Sequence, residues 1–334
     1  MVKIGPVEIA EFPLLLAPME DVSDPPFRAL CKRYGADMMY TEFISADGLI
    51  HDSDKSLQKL DIYDYERPIG IQYFGGQLDS MIKAAHLVEA ANPDVIDINY
   101  GCPVAKVACK MAGAGLLQDI PKMIALTAAV VKSTSKPVTV KTRLGWDEHS
   151  INIIEVAERL QDVGVQALTI HARTRKQMYK GVADWSWIAR VKENPRMHIP
   201  IFGNGDIDTP EKALEYRHRY GVDGIMIGRA SIGNPWIFQQ IKHFFATGEH
   251  LPRPGIAERI AACRQHLEDS IRWKGEKLGV LEMRRHYAPY LQGLPHVKTF
   301  RTKLVSLSAP EALFEVLREI NTVYEGFEIA ALEI

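Results

Sequence analysis

IPIFGNGDIDTPEKALEYRHRYGVDGIMIGRA, the stretch Ile199–Ala230, holds two short apolar runs, each ending in a glycine-bearing polar cluster, with a helical stretch between them. The runs are IPIFGNGD (Ile199–Asp206) and GIMIGRA (Gly224–Ala230). Neither alternates apolar with polar residues, as a half-exposed strand would, so both read as strands covered on two faces. Pro210 falls where the first turn of a helix accepts proline. The unit is strand, helix, parallel strand.

That unit repeats upstream. LLLAPM (Leu14–Met19), MMYTEFIS (Met38–Ser45), IGIQYFG (Ile69–Gly75), VIDINYG (Val95–Gly101), PVTVKTR (Pro137–Arg143) and ALTIHAR (Ala167–Arg173) have the same texture. Most lead into helical spacing, as in MIKAAHLVEAA from Met81 and INIIEVAERLQDVG from Ile151. Eight strands with helical crossovers in about 240 residues predict an α/β fold, the (β/α)8 TIM barrel. A doubly wound sheet would carry GxGxxG after its first strand, and none is present. The poorest joint is the longer, weakly helical segment between the Met38 and Ile69 runs. After LPRPG (Leu251–Gly255) only helical periods remain. Residues 1–250 are therefore expected to form the barrel and residues 251–334 a small all-helical domain.

Composition agrees with an ordinary globular chain: 334 residues, 46% hydrophobic, 25% charged. The four cysteines, Cys31, Cys102, Cys109 and Cys263, make no CxxC pair, so neither a disulfide framework nor a metal site is expected. Reduced thiols and the lack of a secretory pattern in MVKIGPVEIAEF point to the cytoplasm. No apolar run approaches the roughly 20 residues of a membrane helix. A net charge of -2 means that any polyanion partner must meet a local patch.

In such barrels the chemistry lies at the C-terminal ends of the strands. Those ends supply Pro18 and Met19, Glu42, Gln72, Asn99 to Cys102, Lys141 with Arg143, His171 with Arg173, Asn204 to Asp206, and Gly228 with Arg229. Loops after the last two strands commonly cradle phosphate. Gly203, Gly205 and Gly228 let backbone approach an anion, and Arg229 offers a charge-assisted bond. Across the mouth, the Gln72 amide suits the pyrimidine edge of a flavin, and Lys141 would stabilise its anionic reduced form. His171 supports either region. The inferred ligand is FMN.

APMEDVSDPPFR, NYGCPVAKV, VKTRLGW, LTIHARTR, NGDI and MIGRA together resemble the tRNA-dihydrouridine synthase family, its bacterial B-type branch in particular. RRHYAPYLQG and FRTKL extend the resemblance through the C-terminal region. Ser23 stands where the family more often has threonine, and Glu20 where many relatives have alanine. Backbone of the Pro18–Glu20 segment would serve the flavin there. The resemblance implies that reduced FMN gives hydride from N5 to C6 of a tRNA uridine, with NADPH (or NADH) as reductant. Cys102 would then protonate C5, as a thiol with a pKa near 8.5 is mostly protonated at neutral pH. Asn99 would orient uracil or flavin. Cys109, outside the matching motif, reads as a packing residue.

Extruding a base costs a few kcal/mol, which phosphate contacts must offset. Arg143, Arg173, Arg175, Lys106, Arg284 and Arg285 are the main candidates, with Lys110, Lys176, Lys180, Arg272, Lys274, Lys277, Lys298, Arg301 and Lys303 around them. Tyr287, Tyr290 and His286 could stack on RNA or pack the helical domain. No protein partner is inferred. A flavin enzyme for a free pyrimidine shares every barrel feature, but leaves the basic helical appendage without a purpose.

Overall fold

The structure, a computed structural model, describes residues 1–109 and 111–327, and only the backbone of Lys106. A hairpin of β1 (Lys3–Ile4) and β2 (Val7–Glu8) precedes β3 (Leu14–Leu16). There follow β4 (Met38–Tyr40), β5 (Ile44–Ser45), β6 (Ile69–Phe74) and β7 (Val95–Asn99). The last are β8 (Val138–Arg143), β9 (Ala167–His171), β10 (Ile201–Asn204) and β11 (Gly224–Ile227). Parallel pairing runs β3–β4–β6–β7–β8–β9–β10–β11 and returns to β3, closing an eight-stranded barrel. The expected strand Met38–Ser45 is a correction: it is interrupted at residues 41–43, and both pieces pair with β6. Between it and β6 lie short helical turns, not one crossover helix.

Residues two apart on a strand share a face. Leu14 and Leu16 join the large cluster with the outer helices. Leu15, Met38, Tyr40, Val95, Ala167, Phe202 and Met226 instead gather with Ile4 and Ile9 of the N-terminal segment. That segment, for which the sequence suggested no structure, packs against the barrel's inner apolar layer. By the same period Gln72, Asp97, Asn99, Thr139, Lys141, His171 and Asn204 line the inside further along the strands. Crossover helices start where local chemistry says they should. Asp119 accepts from Lys122 N at 3.1 Å, and Thr209 from Lys212 N at 3.2 Å, each beside a first-turn proline.

Beyond the barrel come the helices Ile256–Lys274, Glu276–Tyr290, Lys298–Ser306 and Pro310–Val323. They share an apolar cluster that takes in Trp236, so packing crosses the expected boundary near residue 250. Tyr287, Tyr290 and His286 are buried in this region and are packing residues, not an RNA surface. The appendage meets the barrel at the helix Pro25–Arg33. Asp24 caps that helix through Phe27 N at 3.0 Å and also binds Lys274 Nζ at 2.5 Å. Lys274 is bonded to Glu282 as well, which removes it from the expected basic patch.

Arg28 locks the loop before this helix. Fully buried, it donates to both Glu66 oxygens at 3.1 Å and to the carbonyls of Ser23 (2.9 Å) and Asp61 (2.8 Å). Removing one partner of a buried pair strands the other charge. Arg28→Ala is expected to lose about 3–5 kcal/mol in urea unfolding; a loss below about 1 kcal/mol would show that the pair does not hold the loop.

Candidate active site

Asn99 closes β7, and its Oδ1 accepts from Gly101 N and Cys102 N, both at 2.8 Å. This side chain makes the chain turn on itself directly after the strand. The Gly101 carbonyl accepts from Arg143 Nε at 2.7 Å, and the Cys102 carbonyl from Ala114 N at 3.3 Å. The cysteine turn is thus fastened from three directions. Cys102 is 5% exposed, whereas Cys109 is exposed and not the packing residue expected. Burial pushes the Cys102 thiol up, while the Val104 amide, Arg143 and Lys141 pull it back. The net rise keeps it a protonated thiol at neutral pH.

Lys141 pairs in register with Asn99 and is half-buried, and no carboxylate bonds to it among the described residues. Burial, then Arg143, lowers its pKa to about 8. His171 lies well below its ordinary range through burial and the surrounding Arg143, Lys141, Arg173 and Arg229. It is therefore neutral among four cations. Against them stand Asp206, bonded to Arg173 Nη2 at 2.6 Å and to Arg229 at 3.4 Å, and Asp97, further back on β7. The mouth carries surplus positive charge, which suits an anionic ligand.

Several expected roles change. Arg143 and Arg173, expected to steer RNA, are 2% exposed and bonded inward: Arg143 to the carbonyls of Gly101, Thr174 and Met178, Arg173 to Lys180, Gly181 and Asp206. Gln72 is held from two sides, Nε2 donating to Asp97 at 2.6 Å and Oε1 accepting from Asn99 at 2.7 Å, which leaves one amide N–H and one oxygen lone pair for a ligand. Asn204 donates to the Met226 carbonyl at 2.8 Å. Gly203 does not serve an anion: a Cβ there would fall 1.9 Å from the Trp185 ring. Gly228 is open, its added Cβ meeting only Ala17 and Met19 at 3.6 Å, and Gly205 (φ +127°) lies against His171 and Ala183.

Pro18, Met19 and Glu20 form a half-buried rim in which Met19 N–H donates to Ser23 Oγ at 2.8 Å. Serine supplies the hydroxyl that this turn needs. Glu20 binds Lys59 at 2.6 Å. Glu20, Asp21 and Glu42 bring carboxylate oxygens within 4.8 Å of one another. Lys55, Lys59 and Arg285 already compensate them, and no metal is assigned there.

Of the RNA candidates, Arg175 stacks on Trp146 at 4.6 Å, and Arg284 is half-buried and turned to the Leu307 carbonyl. Arg285 is exposed and reaches Asp21 on the barrel rim at 3.3 Å. Lys176, Arg272 and Lys303 are paired with Asp147, Asp269 and Glu319. Arg301 binds the carbonyls of Ala288 and Leu291. Lys180, Lys277 and Lys298 are exposed with no ion pair among the described residues. The Lys106 side chain and Lys110 lie outside the described residues. Sequence reading missed Tyr179, half exposed, with Arg229 at 4.7 Å and Arg143 at 5.8 Å from its ring. Its signal was an aromatic inside a basic strand-end loop.

A closed eight-stranded parallel barrel with a polar mouth and a helical appendage defines a TIM-barrel protein. Solved structures show the same architecture. Histamine dehydrogenase from Rhizobium sp. 4-9 superposes with a TM-score of 0.56 at 13% identity, over 80% of this chain and 50% of that one. The 6-hydroxypseudooxynicotine amine oxidase of Pseudomonas geniculata N1 gives 0.56 at 13% identity, over 88% and 66%. At that identity the likeness concerns the fold alone. Sequence goes further: the profile of the family described as dihydrouridine synthase (Dus) matches residues 15–324. The tRNA-dihydrouridine synthase B of Pseudomonas aeruginosa is 40% identical over 96% of this chain and 95% of its own. A probable tRNA-dihydrouridine synthase 1 of Synechocystis sp. is 40% identical over 95% and 84%. The chain belongs to the dihydrouridine synthase family. No helix among the described residues is long and apolar enough to cross a membrane.

Proposed function

We propose that this chain reduces the C5–C6 bond of a uridine in tRNA, with FMN as cofactor and NADPH as reductant. The observation that carries the reading is the protonated Cys102 thiol, held by Asn99 at the mouth of a barrel with unbalanced positive charge. Lys141, without a carboxylate partner among the described residues, the open Gly228 and the neutral His171 among cations fit a phosphate-bearing, anionic cofactor. FMN, when bound, supplies a hydride for C6 of the uracil.

The protein's own part is proton delivery and positioning. Cys102 releases its proton to C5 as negative charge develops there, and the adjacent Lys141 and Arg143 favour the thiolate left behind. Asn99 keeps the sulfur in place by gripping the backbone on which it stands. Gly205, Gly228 and Arg229 would hold the cofactor's phosphate, with Asp206 keeping Arg173 and Arg229 in position. Exposed Lys180, Lys277 and Lys298 are the phosphate contacts that offset the cost of extruding a base. A free pyrimidine would need none of them.

Two measurements test this reading. Tandem mass spectrometry of tRNA from cells with and without the gene is expected to show one dihydrouridine lost in the deletion; unchanged tRNA would refute it. The double variant Lys277→Glu/Lys298→Glu is expected to weaken tRNA binding about tenfold or more and to lower the salt slope by about two. Affinity unchanged at roughly 50–150 mM salt would move the RNA surface elsewhere.

A further inference from the structure

Asp97 has no part in the chemistry above, yet it is an almost fully buried carboxylate in the middle of a strand. It accepts from Thr139 Oγ1 at 2.5 Å and from Gln72 Nε2 at 2.6 Å. Gln72 Oε1 accepts from Asn99 Nδ2 at 2.7 Å, and Asn99 Oδ1 accepts from the amides of Gly101 and Cys102 at 2.8 Å. One unbroken chain of hydrogen bonds links the carboxylate to the backbone that carries the thiol.

We propose that Asp97 is a positioning residue: its carboxylate fixes which way the amides of Gln72 and Asn99 face, and so holds the turn that presents Cys102. Donor and acceptor capacity sets the direction of every link. An amide can be turned end for end, exchanging its oxygen and nitrogen at almost no steric cost. An ionised carboxylate only accepts, so the Gln72 nitrogen must face it. The Gln72 oxygen is then directed at Asn99, which must answer with its nitrogen. That leaves the Asn99 oxygen for the two backbone N–H groups, which only donate. Reversing any member would set nitrogen against N–H and break the turn. Burial raises the Asp97 carboxyl to about 6, so it is mainly ionised at neutral pH and keeps this role. Lys141 on β8 and Tyr40 on β4 are the other titratable groups facing it.

The test reads the turn itself. Full-length protein, with whatever flavin it carries, is treated with iodoacetamide, and peptide mass spectrometry separates Cys102 from the exposed Cys109. In Asp97→Asn the new side chain can donate as well as accept, so both amide orientations become allowed. Cys102 alkylation is expected to rise about tenfold, the factor for one lost hydrogen bond, with Cys109 unchanged. Adding Gln72→Glu moves the carboxylate one link along. The amide introduced at position 97 then donates to the carboxylate introduced at position 72. That carboxylate also accepts from Asn99, and the downstream direction is restored. The double variant is expected to return to within about twofold of wild type. An unaltered rate in Asp97→Asn, or a rate as high in the double variant as in the single, would overturn the proposal. Should Asp97→Asn not fold, the double variant decides: a folded protein with wild-type alkylation supports it, an unfolded one overturns it. The importance of this turn for proton transfer rests on the proposed reaction. Alkylation needs no RNA, so failure of either idea would be seen separately.

Discussion

Cys102→Ala is expected to bind flavin and oxidise NADPH at wild-type rates while forming dihydrouridine about 10²–10⁴-fold more slowly, the span typical of a lost general acid. The separation follows from the geometry. The sulfur stands on a turn whose bonds are made by backbone and by Asn99, not by the thiol. Alanine therefore removes the proton without moving the cation cluster around His171. In the proposed reaction, taking up hydride would need no proton from Cys102, so the first half-reaction should be spared. Liquid chromatography of tRNA digests gives the second rate, and NADPH absorbance the first. Equal loss in both would mean that Cys102 supports the site and not the chemistry; full tRNA reduction would take it out of the reaction.

Lys141→Met is expected to weaken flavin binding about 10–100-fold, the worth of one charge-assisted hydrogen bond in a half-buried place. The wild-type protein adds a signature in pH. With its pKa lowered to about 8, Lys141 loses its charge as pH rises through that value. Removing a cation opposes an anionic ligand, so flavin affinity is expected to hold below about pH 7.5 and to fall about tenfold by about pH 9. Lys141→Met should be flat across the same range. Fluorescence titration of flavin-stripped protein reads both. A wild-type curve without the decline would show that the ammonium does not face the ligand.

Much of the fold could be read from the chain because buried parallel strands leave continuous apolar runs, and seven of the eight barrel strands lie inside such runs, although Leu14–Leu16, Ile201–Asn204 and Gly224–Ile227 stop well short of the ends expected for them. The exception, Met38–Ser45, breaks because residues 41–43 leave the sheet and let two short pieces pair with one neighbour. No pattern in MMYTEFIS reports that. Strand ends were legible for the same reason as strands, which brought Cys102, Lys141 and His171 to one mouth.

Pairing was not legible. Arg143, Arg173 and Arg284 look like surface charge in a linear sequence, and only three-dimensional packing turns them to carbonyls. Gly203 and Gly205 look alike in FGNGD, yet Gly203 lies within β10 against Trp185, whereas Gly205 lies past the strand end, where φ +127° turns it to Ala183 and His171. Asp97 stands in VIDIN as a carboxylate inside an apolar run, with nothing in the linear pattern to say what it holds. Its spacing of two from Asn99 was the clue that both share the inner face.

Anaerobic single-turnover reduction tests the central claim most directly. Protein reconstituted with FMN and reduced by NADPH is freed of nucleotide and mixed with unmodified tRNA. The account predicts flavin reoxidation in step with a gain of two hydrogens on one uridine, stoichiometric with flavin. Protein that takes up no flavin, or reduced flavin that stays reduced in the presence of tRNA, would contradict it.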